Sequence, residues 1–282
     1  MRTAMANVFR TVGLITLLAG AGTAKAQINA GPYVPTPWPI VTEMMKLANL
    51  KSSDFIIDLG SGDGRLVITA AKQAGLRGFG VDINPELVKL ANENAKKEGV
   101  GERVEFVRKD LFETDLSQAS IITVYLLPST VTKLVPKMMT DLKPGSRVVS
   151  HDYPLVPWQH DSMQEFNFEE KKAISGTTRT ILFHYTVPAR VAGTWEFQLP
   201  ATIAKQPVRA SLAQDLTIVS GSAVVDGRTL PLAELRVQGE SISFQLPRQG
   251  AKPIALRAVV SGDTMQGTAD AGGTWQGRRV AP

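Results

Sequence analysis

The sequence of 282 residues contains no cysteine. No disulfide, thiolate nucleophile or cysteine-ligated metal can form, so stability in any compartment rests on packing. Histidine is almost as scarce: His151, His160 and His184 are the whole set, and their spacing has no metal-binding signature. After the first residues, no run approaches the roughly 18 consecutive apolar residues of a membrane-spanning helix. A strong charge excess is missing too. The formal charge is +5, but Arg2, Arg10 and Lys25 fall within the first 26 residues, which hold no acid. Without that segment the chain is close to neutral, and there is no case for nucleic-acid binding.

The segment 1–26 reads as a secretory leader. Two arginines precede the apolar stretch 12–21, and Ala24-Lys25-Ala26 gives the small-residue cleavage pattern before Gln27. The expectation is an exported protein, periplasmic or membrane-associated, and cytoplasmic only if translation starts further along. The remaining length suits about two domains. We place an α/β domain over 27–188 and an antiparallel β domain over 189–282, because the helical period is lost after Pro188.

Within the first part, the residues from Pro32 to Pro39 are too rich in proline for a helix or a central strand. Composition favours a surface linker; the alternative has Tyr33 and Trp38 covering a pocket. A helix is expected over 40–50, then a buried strand over 55–59 that breaks at Gly60-Ser61-Gly62-Asp63-Gly64. Helix 66–74, ended by Gly75, leads to strand 78–81, and Asn84-Pro85 caps and opens the next helix, stopped by Gly99. Strands over 103–107, 121–126 and 145–151 follow. A helix from Ser129 to residue 142, kinked by Pro136, separates the last two, and a hairpin of 166–171 with 179–187 closes the pattern. This alternation predicts a doubly wound α/β sheet of seven strands. Beyond it, short alternating runs and turns such as Asp226-Gly227 and Gly239-Glu240 predict a small antiparallel barrel or half-barrel with its first and last strands adjacent.

The glycine stretch carries the chemistry. Dinucleotide sites use G-x-G-x-x-G to cradle a pyrophosphate at a helix N-terminus. Here Gly60, Gly62 and Gly64 are one residue tighter, and Asp58 and Asp63 would repel a diphosphate. These carboxylates suit a cofactor bearing positive charge and an amino group. Asp82, ending the second strand, can accept both ribose hydroxyls, and Asp110 stands at the same sheet edge after the third strand. An NAD-dependent dehydrogenase ranks behind, since the third glycine is displaced and no hydride-handling pair is visible. An exported, non-catalytic binding protein with a relic fold is the alternative to an enzyme. His151 reads as a satisfied loop histidine rather than a proton carrier.

Asp58-Leu59-Gly60-Ser61-Gly62-Asp63-Gly64-Arg65 resembles the first motif of class I S-adenosylmethionine-dependent methyltransferases. Together with Pro32-Tyr33-Val34-Pro35-Thr36, Asn84-Pro85-Glu86-Leu87-Val88, Arg108-Lys109-Asp110-Leu111, Tyr125-Leu126-Leu127-Pro128-Ser129 and 144–150, it is similar to the lysine methyltransferases of the ATP synthase c-subunit and their bacterial relatives. The likeness covers about 32–160 and none of the β-rich tail. It implies N-methylation of a protein lysine, with S-adenosyl-L-methionine held by Asp58, Gly60, Ser61, Gly62, Asp63, Gly64, Asp82 and Asp110. Many amine methyltransferases carry D/N-P-P-Y after the fourth strand. This chain has Tyr125, Leu126, Leu127 and Pro128 there, so the Tyr125 hydroxyl and backbone carbonyls near Leu127 and Pro128 are the candidate catalytic groups.

Overall fold

The computed structural model describes residues 33–248 and 250–280; the expected leader, 1–26, lies outside the described residues. Two sheets organise them, and the chain passes from one to the other between Thr186 and Gly193.

In the first sheet, β1 (Phe55–Leu59) and β4 (Ile121–Val124) form the centre and are buried on both faces, as their near-continuous apolar sequences require. Around them lie β2 (Arg77–Asp82), β3 (Val104–Arg108), β5 (Arg147–His151), β6 (Ser162–Asn167) and β7 (Arg179–Thr186), in the order β3-β2-β1-β4-β5-β7-β6. Only β7 runs antiparallel to its neighbours. The strand order reverses between β1 and β4, which opens a crevice at their carboxyl ends.

Helices cover both faces because adjacent strand residues point to opposite sides. Ile56, Ile121 and Val149 receive Met44 of α1 (Trp38–Ala48), Val67 of α2 (Arg65–Ala74) and Ala91 of α3 (Pro85–Lys97). Ile57, Ile122 and Val148 receive Val131, Leu134 and Met138 of α4 (Pro128–Asp141). Burying one such branched side chain contributes about 1.5–3 kcal/mol, so the two layers dominate the stability of this half. Asn84 caps α3 by accepting the Glu86 N–H, and Gly75 ends α2 in the left-handed conformation.

The details differ from expectation in several places. Helix α1 starts at Trp38, with Pro39 in its first turn. The strand expected over 166–171 is Ser162–Asn167, and Glu169–Ser175 forms a short helix, α5, inside the hairpin connection. Two acids in its first turn and Gly176 at its end supply the helix signals. Leu127, not Ser129, is the N-cap of α4, because Pro128 takes the first helical position with its φ already set. Pro136 lies inside α4, which continues beyond it to Asp141.

The second sheet is a nearly closed antiparallel barrel. It comprises β8 (Gly193–Gln198), β9 (Val208–Asp215), β10 (Ile218–Val225), β11 (Arg228–Pro231), β12 (Ala233–Gln238), β13 (Ser241–Arg248), β14 (Ala251–Ser261), β15 (Thr264–Ala269) and β16 (Thr274–Val280). Their order is β11-β10-β9-β8-β16-β15-β14-β13-β12, with first and last strands paired as expected. The Leu232 N–H, between the two edge strands, donates to Gly221 O on β10 and draws the edges together. Asp226 and Gly227 both take positive φ at the β10–β11 hairpin, as an Asp-Gly turn demands. Phe197, Phe244 and Trp275 pack as one cluster of rings in the interior, and Trp195 is buried in the same core. Arg190 fastens the barrel to the first sheet by donating to Met139 O and Thr140 O at the end of α4.

Candidate functional site

The crevice at the carboxyl ends of β1, β2 and β4 is a cavity of about 550 Å³, within the size of small-molecule sites. Asp58, Gly60, Ser61, Gly62, Asp63, Asp82, Asp110 and Tyr125 all line it. Gly64, Leu127 and Pro128 do not; Gly64 sits behind the loop, where an added Cβ would lie 2.6 Å from the Phe106 ring and 3.0 Å from Ala91.

The loop is shaped by positive φ at Gly60, Gly62 and Gly64. Asp82 braces it from below. One carboxylate oxygen accepts the Gly62 N–H at 3.0 Å and the other the Asn84 N–H at 2.9 Å. A carboxylate offers about four acceptor positions, so Asp82 retains capacity for a ligand. Asp58 is 2% exposed, and Thr123 Oγ1 donates to it at 2.7 Å. Burial, with the charges of Asp82 and Asp63 added, pushes its carboxyl up to about 7. Asp110 accepts the Phe112 N–H at 2.8 Å and caps the turn Leu111–Glu113, whose Leu111 and Phe112 offer apolar wall beside it.

Asp63 behaves differently from its partners. Arg65 grips it with two donors, at 2.8 and 2.6 Å, so this acid is already neutralised within the protein. The same guanidinium donates to Thr36 O at 2.6 Å and lies 5.0 Å from the centre of the Trp38 ring. Arg65 thus straps the proline-rich segment across the loop. Tyr33, Val34, Pro35 and Thr36 line the cavity, and the Tyr33 ring lies so close to Gly62 that a Cβ there would meet it at 2.4 Å. The linker reading of this segment gives way to the covering one for Tyr33, whereas Trp38 is 60% exposed on the outer side.

The far end is formed by Tyr125, Leu126 and Thr130. The Tyr125 ring lies against that of His151, centres 3.8 Å apart and planes tilted by 31°. Burial first, then the Asp152 charge, pushes its hydroxyl well above the ordinary phenol value. His151 is fully buried and held down to about 4 by desolvation, so it is neutral at physiological pH.

A sulfonium nucleoside fits this donor set. Bare glycine backbone lets a ligand approach closely, and three carboxylates that form no ion pair among the described residues, Asp58, Asp82 and Asp110, line the same space. Ser61 Oγ and Thr130 Oγ1 are buried, belong to residues that line the cavity and have no hydrogen-bond partner among the described residues. Among the described residues no cluster of metal-ligating side chains is present, and no helix is long and apolar enough to cross a membrane.

The profile of the ANTKMT methyltransferase domain matches residues 58–162. A protein-lysine N-methyltransferase of Saccharolobus islandicus is 43% identical over 128 residues, which cover 45% of this chain and 80% of that protein. The mouse adenine nucleotide translocase lysine N-methyltransferase is 44% identical over 129 residues, 45% of this chain. The chain spans 56% of that mouse protein's length. A crystal structure from Salinibacter ruber, described as an RNA methyltransferase in complex with S-adenosyl-L-homocysteine, is 44% identical, with a TM-score of 0.50 over 56% of this chain and 96% of its own. With the loop, the braced acids and the covering strap in place, this chain belongs to the S-adenosylmethionine-dependent methyltransferase family that includes the archaeal protein-lysine enzyme.

Proposed function

We propose that the chain methylates the side-chain amine of a lysine in a protein. The observation that carries this reading is the composition of the far end of the cavity: Tyr125 and Leu126 with the Thr130 hydroxyl, and no side-chain amide or carboxylate. That end offers an aliphatic amine an apolar slot and two hydroxyls, those of Tyr125 and Thr130, and lacks the amide or carboxylate that would pair with the edge of a base. The relatives named as protein-lysine enzymes agree with it.

Asp82 would hold the ribose, Asp110 and the apolar wall beside it the adenine, and Asp58 with the Gly60–Gly62 backbone the amino-acid end. Bound there, S-adenosylmethionine supplies an electrophilic methyl on a positively charged sulfur. The chain's own residues have three tasks. Leu126 and the apolar approach desolvate the lysine, which favours loss of its proton from an ordinary pKa of about 10.4. The Tyr125 oxygen accepts an amine hydrogen and fixes the nitrogen's direction. Tyr33 and Pro35, tied down through Arg65, keep water from the reacting face. Positioning of this kind supplies on the order of 7–11 kcal/mol of a bimolecular barrier.

The test uses the purified full chain with S-adenosylmethionine labelled in the methyl group, offered poly-L-lysine, a protein extract of its own cell and total RNA from it. Label in acid-stable methyl-lysine supports the reading; label confined to RNA would overturn it. For location we infer export, on the leader pattern of 1–26. N-terminal sequencing of the protein from its own cell should begin at Gln27, and an uncut Met1 with cytosolic fractionation would refute export.

A further inference from the structure

Two glycines of the loop are each faced by a large side chain from elsewhere in the chain. An added Cβ on Gly62 would meet the Tyr33 ring at 2.4 Å, and one on Gly60 would lie 2.7 Å from Leu126 Cδ2 and 3.7 Å from its Cγ. All four residues line the cavity. The crevice is therefore pinched at the loop, with Tyr33 as one jaw and Leu126 as the other.

The jaws differ in stiffness. Tyr33 is 46% exposed and belongs to the strap, so its ring has room to swing outward. Leu126 is 7% exposed, lies just beyond the end of β4 and sits in one buried cluster with Leu59, Val124 and Val131. A close-packed interior of this kind yields little, and an extra methylene pressed into it forces its side chains off their rotamers. Leu126 is the wall that does not give.

Its neighbours decide what it bounds. Through Gly60 it borders the loop read above as the seat of the cofactor's amino-acid end, and along the chain it adjoins Tyr125, read as the group that holds the amine. The sulfur is joined covalently to that amino-acid end, and the group it gives up has to face the amine. The group in transit thus passes beside Leu126.

We propose that Leu126 is a specificity-determining residue: seated on Gly60, it limits the alkyl group carried on the cofactor sulfur to methyl. This rests on the reading of the cavity as a site where S-adenosylmethionine faces a lysine amine. In the transfer a carbon–nitrogen bond forms as the carbon–sulfur bond breaks, the electron pair stays on sulfur, and the resulting ammonium releases its proton to solvent. The balance is the same for a longer alkyl group, so binding reads the limit on space apart from the rate of the bond exchange.

The test is calorimetry of the full chain with S-adenosyl-L-methionine and with S-adenosyl-L-ethionine, which carries ethyl in place of methyl. The native chain should bind the ethyl compound about ten-fold more weakly or worse, the usual penalty for one methylene too many in an apolar pocket. Leu126→Ala should bring the two affinities within about two-fold of each other, and Leu126→Val should fall between. Tyr33→Ala should weaken both compounds and leave their ratio as in the native chain. Equal affinities in the native chain, a native ratio in Leu126→Ala, or a ratio that collapses in Tyr33→Ala would overturn the proposal. If Leu126→Ala does not fold, Leu126→Val decides alone, and a native ratio there overturns it equally. With poly-L-lysine, Leu126→Ala should also transfer ethyl faster than the native chain does. If no variant alkylates poly-L-lysine while the binding ratio shifts as expected, the limit set by Leu126 stands and the lysine reading fails.

Discussion

Replacing Asp58 by asparagine should stabilise the ligand-free protein, and by an amount set by pH. Its carboxyl moves from an ordinary 3.8 to about 7 in the folded state, mainly through burial. Between those values the native state holds a proton that the unfolded chain has released. Stability therefore falls as pH rises through the window, and the full cost is present above about 7. At ~1.4 kcal/mol per unit the whole window amounts to about 4 kcal/mol, and the step from pH 5 to pH 8 to about 2.5 kcal/mol. Asparagine cannot ionise, yet its side-chain oxygen can still accept from Thr123 Oγ1, which donates to Asp58 at 2.7 Å. The gain in melting temperature of Asp58→Asn over the native sequence should accordingly be about 5–10 °C larger at pH 8 than at pH 5. Thermal melts of both proteins without cofactor at the two pH values read this directly. An equal gain at both, or a loss at pH 8, would refute the argument that this acid is held against its will in the crevice. The same substitution should weaken S-adenosylmethionine by at least ten-fold at pH 8 in calorimetry, because the ionised form is what a cationic ligand needs.

The glycine loop separates two kinds of damage. Gly62→Ala should raise the dissociation constant for S-adenosylmethionine at least ten-fold with a smaller effect on stability, since the new Cβ meets the movable Tyr33 ring at 2.4 Å; Gly64→Ala should instead destabilise by about 2–4 kcal/mol in urea, since it drives into Phe106 and Ala91 at positive φ. Arg65→Met should free the strap, and limited chymotrypsin digestion should then cut after Tyr33 several-fold faster, a difference that added cofactor reduces in the native chain. Tyr185→Phe strands the buried Leu155 N–H, which donates to the tyrosine oxygen at 2.8 Å, and should cost about 1–3 kcal/mol without altering cofactor affinity.

The glycines and Asp58 were legible because a strand that turns at once into a helix leaves few residues able to do it, and those residues are contiguous; Asp82 was legible as the acid that ends the next strand. The barrel was legible from its short alternating runs and its Asp226-Gly227 turn, which need no contact remote in sequence. What stayed hidden depends on contacts remote in sequence. A proline-rich stretch looks the same whether it crosses solvent or a pocket, so only the fit of Tyr33 against Gly62 tells them apart. Arg65 reads as a helix-start residue until its guanidinium is seen on Asp63 and Thr36 together. Lys171 lies in the run Glu169-Glu170-Lys171-Lys172, which has the look of a wetted surface, and only the short helix there turns that one ammonium inward to Asp152.

The position of β16 within its sheet has a mechanical result. Four strands lie on either side of it, from β8 to β11 and from β15 to β12, and it is the one element hydrogen-bonded to both sets. Each half can zip locally through hairpins, and Leu232 ties their outer edges, but the sheet is continuous only when residues 274–280 slot between Trp195 and Met265. The barrel is thus a clasp with a single tongue: its assembly waits on a join between distant parts of the chain, a slow kind of step, and a lesion in that strand should part it down the middle rather than fray its rim.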